Sequence, residues 1–304
     1  MTEPLIFGAW AIGGWFWGDC DLDASRAALR AWVDAGLSWV DTAPIYGFGV
    51  SEEVVGELRD HLKIATKCGL VWQDAAPRRG REPRVRKDLS PASVKAECEA
   101  SLRRLGVERI DLYQCHWPDP DTPVEDTMGA LLELKEQGKI DAIGVSNFDV
   151  ELLERACAVA PIFSDQPRYS ALDRGIEADV LPWCREHGLA TLAYSPLEQG
   201  LLTGAVSADR VFPKGDTRRR LPRFSVENRR RVAAALDRIG GLRPQATLAQ
   251  LVLAWTAAQP GVCAIVGARS AAQAAENAGA TRLLLEPEEL GVIDRILRSV
   301  ELVI

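Results

Sequence analysis

Eight short apolar runs recur along this chain, at 5–9, 37–41, 62–66, 109–115, 140–145, 162–166, 189–194 and 262–266, with helix-like stretches between them. Runs such as Ile140-Asp141-Ala142-Ile143-Gly144-Val145 and Ala190-Thr191-Leu192-Ala193 are apolar at nearly every position. A strand wetted on one face alternates apolar and polar residues, whereas one covered on both faces does not. Strands alternating with helices build a parallel sheet, and eight such units are what closes a barrel. The expected fold is therefore a (β/α)8 TIM barrel. A length of 304 residues lies within what one α/β barrel occupies, and no composition break divides the chain, so one domain over 1–304 is expected.

Helix signals fill the intervals. Asp23 precedes a stretch with Ala28, Leu29, Trp32 and Val33 on one face, which Gly36 stops. Ser90-Pro91 reads as an N-cap followed by proline at the first helical position. Thr122 with Glu125, Thr247 with Gln250 and Ser270 with Gln273 have the spacing of capping boxes. A last helix from Pro287 to about Ser299 falls outside the eight-fold count. Strand-end landmarks lie farthest apart between Lys67 and His116 and between Tyr194 and Val266. Long loops are thus expected after the third and seventh strands, at about 68–89 and 197–225, on the face where barrels keep their active sites.

Four side chains sit just beyond strand runs: Asp41, Tyr46, Lys67 and His116. An acid, a phenol, an amine and an imidazole at one end of parallel strands make a proton-donating site. A carbonyl accepts hydride only if its oxygen is protonated or its developing charge is stabilised, and Tyr46 is the candidate donor. A free phenol, with a pKa of ~10, is a reluctant acid at neutral pH. A cation at 4 Å is worth roughly 4 kcal/mol at an effective dielectric near 20, which favours the phenolate. Lys67 is the natural cation, Asp41 the partner that keeps it charged, and His116 a hydrogen-bond donor to the substrate oxygen.

The bulk numbers narrow the field. A net charge of −7 argues against a nucleic-acid partner. Seven cysteines are scattered without C-x-x-C or metal-ligand spacing, which fits reduced thiols, a cytoplasmic location and no metal centre. No signal-peptide pattern opens the chain, and no uncharged apolar run approaches the ~18 residues that span a bilayer, so no membrane partner is expected.

The stretch Asp41-Thr42-Ala43-Pro44-Ile45-Tyr46-Gly47-Phe48-Gly49-Val50-Ser51-Glu52 resembles the signature of the aldo-keto reductases. So do Ile143-Gly144-Val145-Ser146-Asn147-Phe148, Ala193-Tyr194-Ser195-Pro196-Leu197 and the helix carrying Ala275-Glu276-Asn277. The resemblance runs in order from about Gly8 to Asn277, and the Trp10 to Gly14 start and the His116 to Pro120 turn are similar to bacterial members. It implies a barrel that binds NADP(H) across its C-terminal face without a Rossmann domain, and a tetrad of Asp41, Tyr46, Lys67 and His116. It also implies that Ser146, Asn147 and Gln166 hold the nicotinamide carboxamide and that Tyr194 stacks on the nicotinamide ring. Ser195, Leu197, Gln199 and Gly200 would line the pyrophosphate. Gly267, Arg269, Gln273, Glu276 and Asn277 would receive the adenosine end. The implied reaction passes the pro-R hydride to an aldehyde or ketone, or runs in reverse from an alcohol.

Two further readings come from the residues themselves. Ser270 caps a helix whose first amides attract anions, and Arg269 stands beside it, which suits a 2′-phosphate and favours NADPH over NADH. Of nine tryptophans, Trp10, Trp17 and Trp117 follow strands at the mouth and are the candidate substrate neighbours. Arginine-rich runs at 77–87 and 218–220 lie in the two long loops, where they border the mouth or face solvent. Two rival functions share these residues. A Schiff-base aldolase would use Lys67 as nucleophile, and a cofactor-sensing regulatory subunit would bind nicotinamide with little turnover.

Overall fold

Each of the eight apolar runs forms a strand in the computed structural model, which describes residues 3–14, 20–73, 84–213 and 215–303. The barrel strands are β1 (Leu5–Gly8), β2 (Trp39–Asp41), β3 (Lys63–Cys68), β6 (Ile110–Cys115), β7 (Ile140–Ser146), β8 (Ile162–Gln166), β9 (Ala190–Tyr194) and β10 (Val262–Gly267). They pair in parallel and close in the order β1-β10-β9-β8-β7-β6-β3-β2. The two remaining strands, β4 (Leu70–Gln73) and β5 (Arg84–Lys87), form an antiparallel pair within the loop after the third barrel strand. The sequence reading gives that loop no strands.

Helices α1 (Leu22–Asp34), α2 (Val50–Gly56), α3 (Pro91–Leu105), α4 (Val124–Glu136), α5 (Val150–Val159) and α6 (Val180–Glu186) follow the first six barrel strands. The seventh is followed by a long segment of short helical turns, by α7 (Val226–Gly240) and by α8 (Leu248–Ala257). The eighth is followed by α9 (Ala271–Gly279), and the chain closes with α10 (Pro287–Arg298), which packs on α7. Both long loops and the extra C-terminal helix are where the spacing puts them; α7 is a second helix outside the eight-fold count.

Local chemistry sets the helix starts. Asp21, two residues before the expected position, accepts the amides of Asp23 and Ala24 and caps α1. Ser90 caps α3, and Thr247 with Gln250 completes both halves of a capping box on α8. The Thr122 box does not form. The carboxylate of Asp119 draws the Thr122 hydroxyl away at 2.8 Å, and Pro123 takes the cap position without a side-chain bond. Ser270 accepts the amide of Gln273, but the Gln273 carbonyl turns to the amide of Arg269 instead of completing the box.

Strand alternation divides the barrel into two environments. Ile6, Ala65, Leu112, Leu192, Cys263 and Ile265 point inward and form the lumen core. The next inward positions toward the C-terminal end include Asp41, Lys67, Gln114, Ser146, Gln166 and Tyr194, so the layer above the apolar plug is polar. Outward residues pack beneath the helices, with Trp32 and Trp255 fully buried there.

Candidate active site

Lys67 is wholly buried at the top of β3, and three groups meet its ammonium. It donates to Asp41 Oδ1 at 2.6 Å, to the carbonyl of Thr42 at 2.9 Å and to the hydroxyl of Tyr46 at 3.2 Å. The other oxygen of Asp41 accepts from Gln166 Nε2 at 2.7 Å and Gln114 Nε2 at 3.2 Å, and these two amides bond each other. Tyr46 and His116 meet edge to face, with ring centroids 5.8 Å apart. All four residues singled out in the sequence therefore converge.

A close approach of two loops sets Tyr46 in place. A Cβ on Gly13 would lie 2.6 Å from the Cα of Gly47, and one on Gly47 would lie 2.6 Å from the Cα of Gly13. Both glycines have positive φ, so no larger residue fits either side of the crossing. The Tyr46 amide donates back to Ala43, which closes the turn that presents the phenol.

Burial governs the titration of the site. It is the largest influence on Tyr46 and pushes the phenol up; the Lys67 charge and hydrogen bond pull it down, but not far enough to reverse the shift. The sequence reading expects Lys67 to make this phenol more acidic than a free one. In the structure Lys67 limits a rise rather than producing a fall, because both groups are out of water. Lys67 itself is raised: burial disfavours its charge, but Asp41 and Tyr46 outweigh that. His116 is held well below the ordinary imidazole value, by burial first and the nearby Lys67 charge second, and is neutral at pH 7.

The site opens into an elongated cavity of about 710 Å³. At its inner end are Asp41, Tyr46 and His116. Ser146, Asn147, Gln166 and Tyr194 line it from the ends of β7, β8 and β9, Ser195, Leu197, Gln199 and Gly200 from the segment after β9, and Gly267, Arg269, Gln273, Glu276 and Asn277 from the end of β10 through α9. Every described residue assigned to cofactor in the sequence lines this one cavity. The carboxamide side is tightly organised: Asn147 donates to Ser146 Oγ at 2.9 Å and accepts from the Tyr194 hydroxyl at 3.0 Å, while Ser146 donates to the carbonyl of Gln166 at 2.7 Å. Trp10 and Trp117 line the mouth; Trp17 lies outside the described residues.

Three non-glycine residues on the cavity wall, Asn147, Ser195 and Gln199, have φ near +60°. Such strain persists where the surroundings over-determine it, commonly at ligand sites. Gln199 also carries a buried carbonyl oxygen with no hydrogen-bond partner among the described residues. An acceptor stranded in a cavity wall suits a ligand that offers hydroxyl or amide donors, and Gly200 at φ +94° leaves the neighbouring backbone uncovered by a side chain. The residues present thus fit an extended dinucleotide.

Sequence reasoning missed Gln114 and Arg168. Gln114 falls two residues before His116, and its place on the inward alternation from Leu112 was the available signal. Arg168 lines the cavity and ion-pairs with Glu198 and Asp173, both at 2.6 Å. Of the arginine run at 218–220, Arg218 lines the cavity, donates to the Gln199 carbonyl at 3.1 Å and pairs with Asp216, while Arg219 and Arg220 face solvent.

Residues 4–298 match the model of the aldo/keto reductase family. The solved glycerol dehydrogenase AKR11B4 from Gluconobacter oxydans superposes with a TM-score of 0.90 at 38% identity, over 98% of this chain and 92% of that one. An NADH-specific methylglyoxal reductase of Escherichia coli (strain K12) is 36% identical over 97% of this chain and 94% of its own. An aldo/keto reductase from Klebsiella pneumoniae, solved with NADP and acetate, shows a TM-score of 0.73 at 32% identity, over 97% of this chain and 91% of that one. No helix among the described residues is long and apolar enough to cross a membrane.

Proposed function

This chain belongs to the aldo/keto reductase family, oxidoreductases that act on carbonyls and alcohols with a nicotinamide cofactor, and from that premise we propose that it is an NADPH-dependent reductase of aldehydes or ketones in which Tyr46 is the general acid. One observation carries the reading: the Lys67 ammonium bridges Asp41 at 2.6 Å and the Tyr46 hydroxyl at 3.2 Å beside an open cavity.

The bound nicotinamide supplies or receives the hydride. The chain's own residues manage the proton. Tyr46, raised by burial, stays protonated at neutral pH and is ready to donate as the substrate oxygen gains charge. The cation beside it stabilises the phenolate left behind, and Asp41 fixes that cation through a contact that the amides of Gln114 and Gln166 hold in place. Neutral His116 donates a hydrogen bond to the same substrate oxygen without adding a second charge. Alcohol oxidation needs the phenolate and should therefore strengthen as pH rises.

Ser146, Asn147 and Gln166 would orient the carboxamide, Tyr194 would stack on the ring, and Ser195, Leu197, Gln199 and Gly200 would follow the pyrophosphate. Gly267, Arg269, Gln273, Glu276 and Asn277 would take the adenosine end. The relatives differ, one being named for NADH specificity and another holding NADP, so this chain's residues must decide. Arg269, exposed at the N-terminus of α9, supports a 2′-phosphate, because a guanidinium and free helix amides both favour a dianion. The aldolase alternative is disfavoured, since an imine-forming lysine must lose its charge and Asp41 and Tyr46 keep Lys67 charged.

The test is fluorescence titration with NADPH and NADH, followed by an aldehyde panel with the tighter cofactor. NADPH should bind more tightly, and Arg269→Ala should remove most of that difference. Tighter NADH binding would overturn the cofactor assignment, and binding without turnover of any aldehyde would favour a cofactor-sensing role.

A further inference from the structure

The antiparallel pair β4–β5 borders the cavity through Leu70, and its register sorts its charges. Leu70 faces Lys87 and Trp72 faces Val85, while Val71 faces Arg86 and Gln73 faces Arg84. Cross-strand partners share a face and alternate positions return to it. Leu70, Trp72, Val85 and Lys87 thus lie on one face, with Arg84 and Arg86 on the other. The first face is the cavity side: Leu70 lines the cavity, and Trp72 packs edge-on against Phe48 at 5.6 Å. Of the three cations on β5, only Lys87 shares the face of Leu70.

Its ammonium sits 5.4 Å from the ring centroid of Trp117, which lines the cavity next to His116. Among the described residues the carboxylates nearby are committed elsewhere. Asp88 pairs with Arg86 at 2.6 Å and accepts from Ser90, and Asp119 accepts from the Leu89 amide and Thr122. Lys87 forms no ion pair among the described residues. Of the other cations near the site, Lys67 is matched by Asp41, Arg168 by Glu198 and Asp173, and Arg218 by Asp216, while Arg210 and Arg269 line the cavity from the segments after β9 and β10.

Resting on the reductase reading above, we propose that the preferred substrates are oxo acids: aldehydes or ketones carrying a carboxylate at the far end of a short apolar or aromatic spacer, with Lys87 the residue that selects them. The carbonyl sits between Tyr46 and His116, the spacer lies along Trp117 and Leu70, and the carboxylate meets the Lys87 ammonium. A lysine suits this task because its flexible stem carries a compact charge that adjusts to spacers of different length. The cation also draws anions toward the mouth of a chain whose overall charge of −7 would repel them.

The test compares matched pairs with the full-length enzyme and NADPH: 4-carboxybenzaldehyde against benzaldehyde, and 4-oxobutanoate against butanal. The carboxylate member should win through a lower KM, and the advantage should shrink with added salt. Lys87→Gln should raise KM for the charged member roughly two- to fivefold more than for the neutral one, the scale of a charged contact at an exposed rim. Lys87→Arg should keep the advantage, and so should Arg84→Gln, which alters a charge on the opposite face. Equal use of both members by the parent enzyme, or an equal change with Lys87→Gln, would overturn this inference and leave the reductase reading intact. Reduction of no aldehyde at all would overturn the reading itself and this inference with it.

Discussion

Asp41 and Asp165 are both buried carboxylates at the C-terminal ends of strands in one barrel, and their surroundings are opposite. Asp41 points into the lumen, where Lys67, Gln114 and Gln166 all donate to it. Asp165 sits one position before Gln166, faces the helices, and has no hydrogen-bond partner of ordinary geometry on either oxygen among the described residues. Burial pushes it up to about 8, and the amides of Phe148 and Gln166 only partly oppose that. Equal burial therefore leaves one carboxylate held by three donors and pushes the other toward its neutral form. Partners, and not depth, decide which carboxylate can hold a cation for chemistry.

The sharpest way to break this contrast is to remove the cation. Lys67→Met should leave Asp41 buried beside an apolar side chain, costing about 3–5 kcal/mol of stability and at least ~100-fold in turnover. Denaturant melts and kcat would show it, and an unchanged midpoint would mean Asp41 does not depend on its partner. Tyr46→Phe should cost about 10²–10⁴-fold in turnover and little stability, with NADPH binding preserved. A variant that reduced aldehydes at the parent rate would remove Tyr46 from the acid role.

Asp165→Asn tests the other side, and its sign is opposite. A carboxyl raised in the folded protein keeps its proton there while the unfolded chain releases it. Stability is therefore lost as pH rises from about 3.8 toward about 8. The asparagine variant escapes that loss, so its thermal advantage should be small at pH 4 and reach up to a few kcal/mol by pH 8. An advantage independent of pH would show that Asp165 is charged throughout. Gln114→Leu should have the smallest effect, about 1 kcal/mol, because Gln166 still holds Asp41 Oδ2. A loss as large as that of Lys67→Met would make the amide, rather than the ammonium, the main support of Asp41.

The sequence by itself determined the architecture and the identity of the reacting groups. Eight doubly covered apolar runs admit few arrangements other than a closed parallel barrel, and the period of two along each strand commits polar residues near its end to the lumen. Asp41, Tyr46, Lys67 and His116 were legible because short motifs place each just past such a run. Tertiary structure decided what depends on groups distant in the chain. Gln114 and Gln166 are 52 residues apart, yet they bond each other on Asp41. The Thr122 hydroxyl was drawn from its expected cap by Asp119, a carboxylate that the Leu89 amide also engages from 30 residues away, and the pairing of β4 with β5 put Lys87 on the face of Leu70, away from Arg84 and Arg86. The balance at Tyr46 was beyond local reading for the same reason. A cation's pull is estimated from its presence nearby, whereas the opposing cost of burial is set by every element that closes over the phenol.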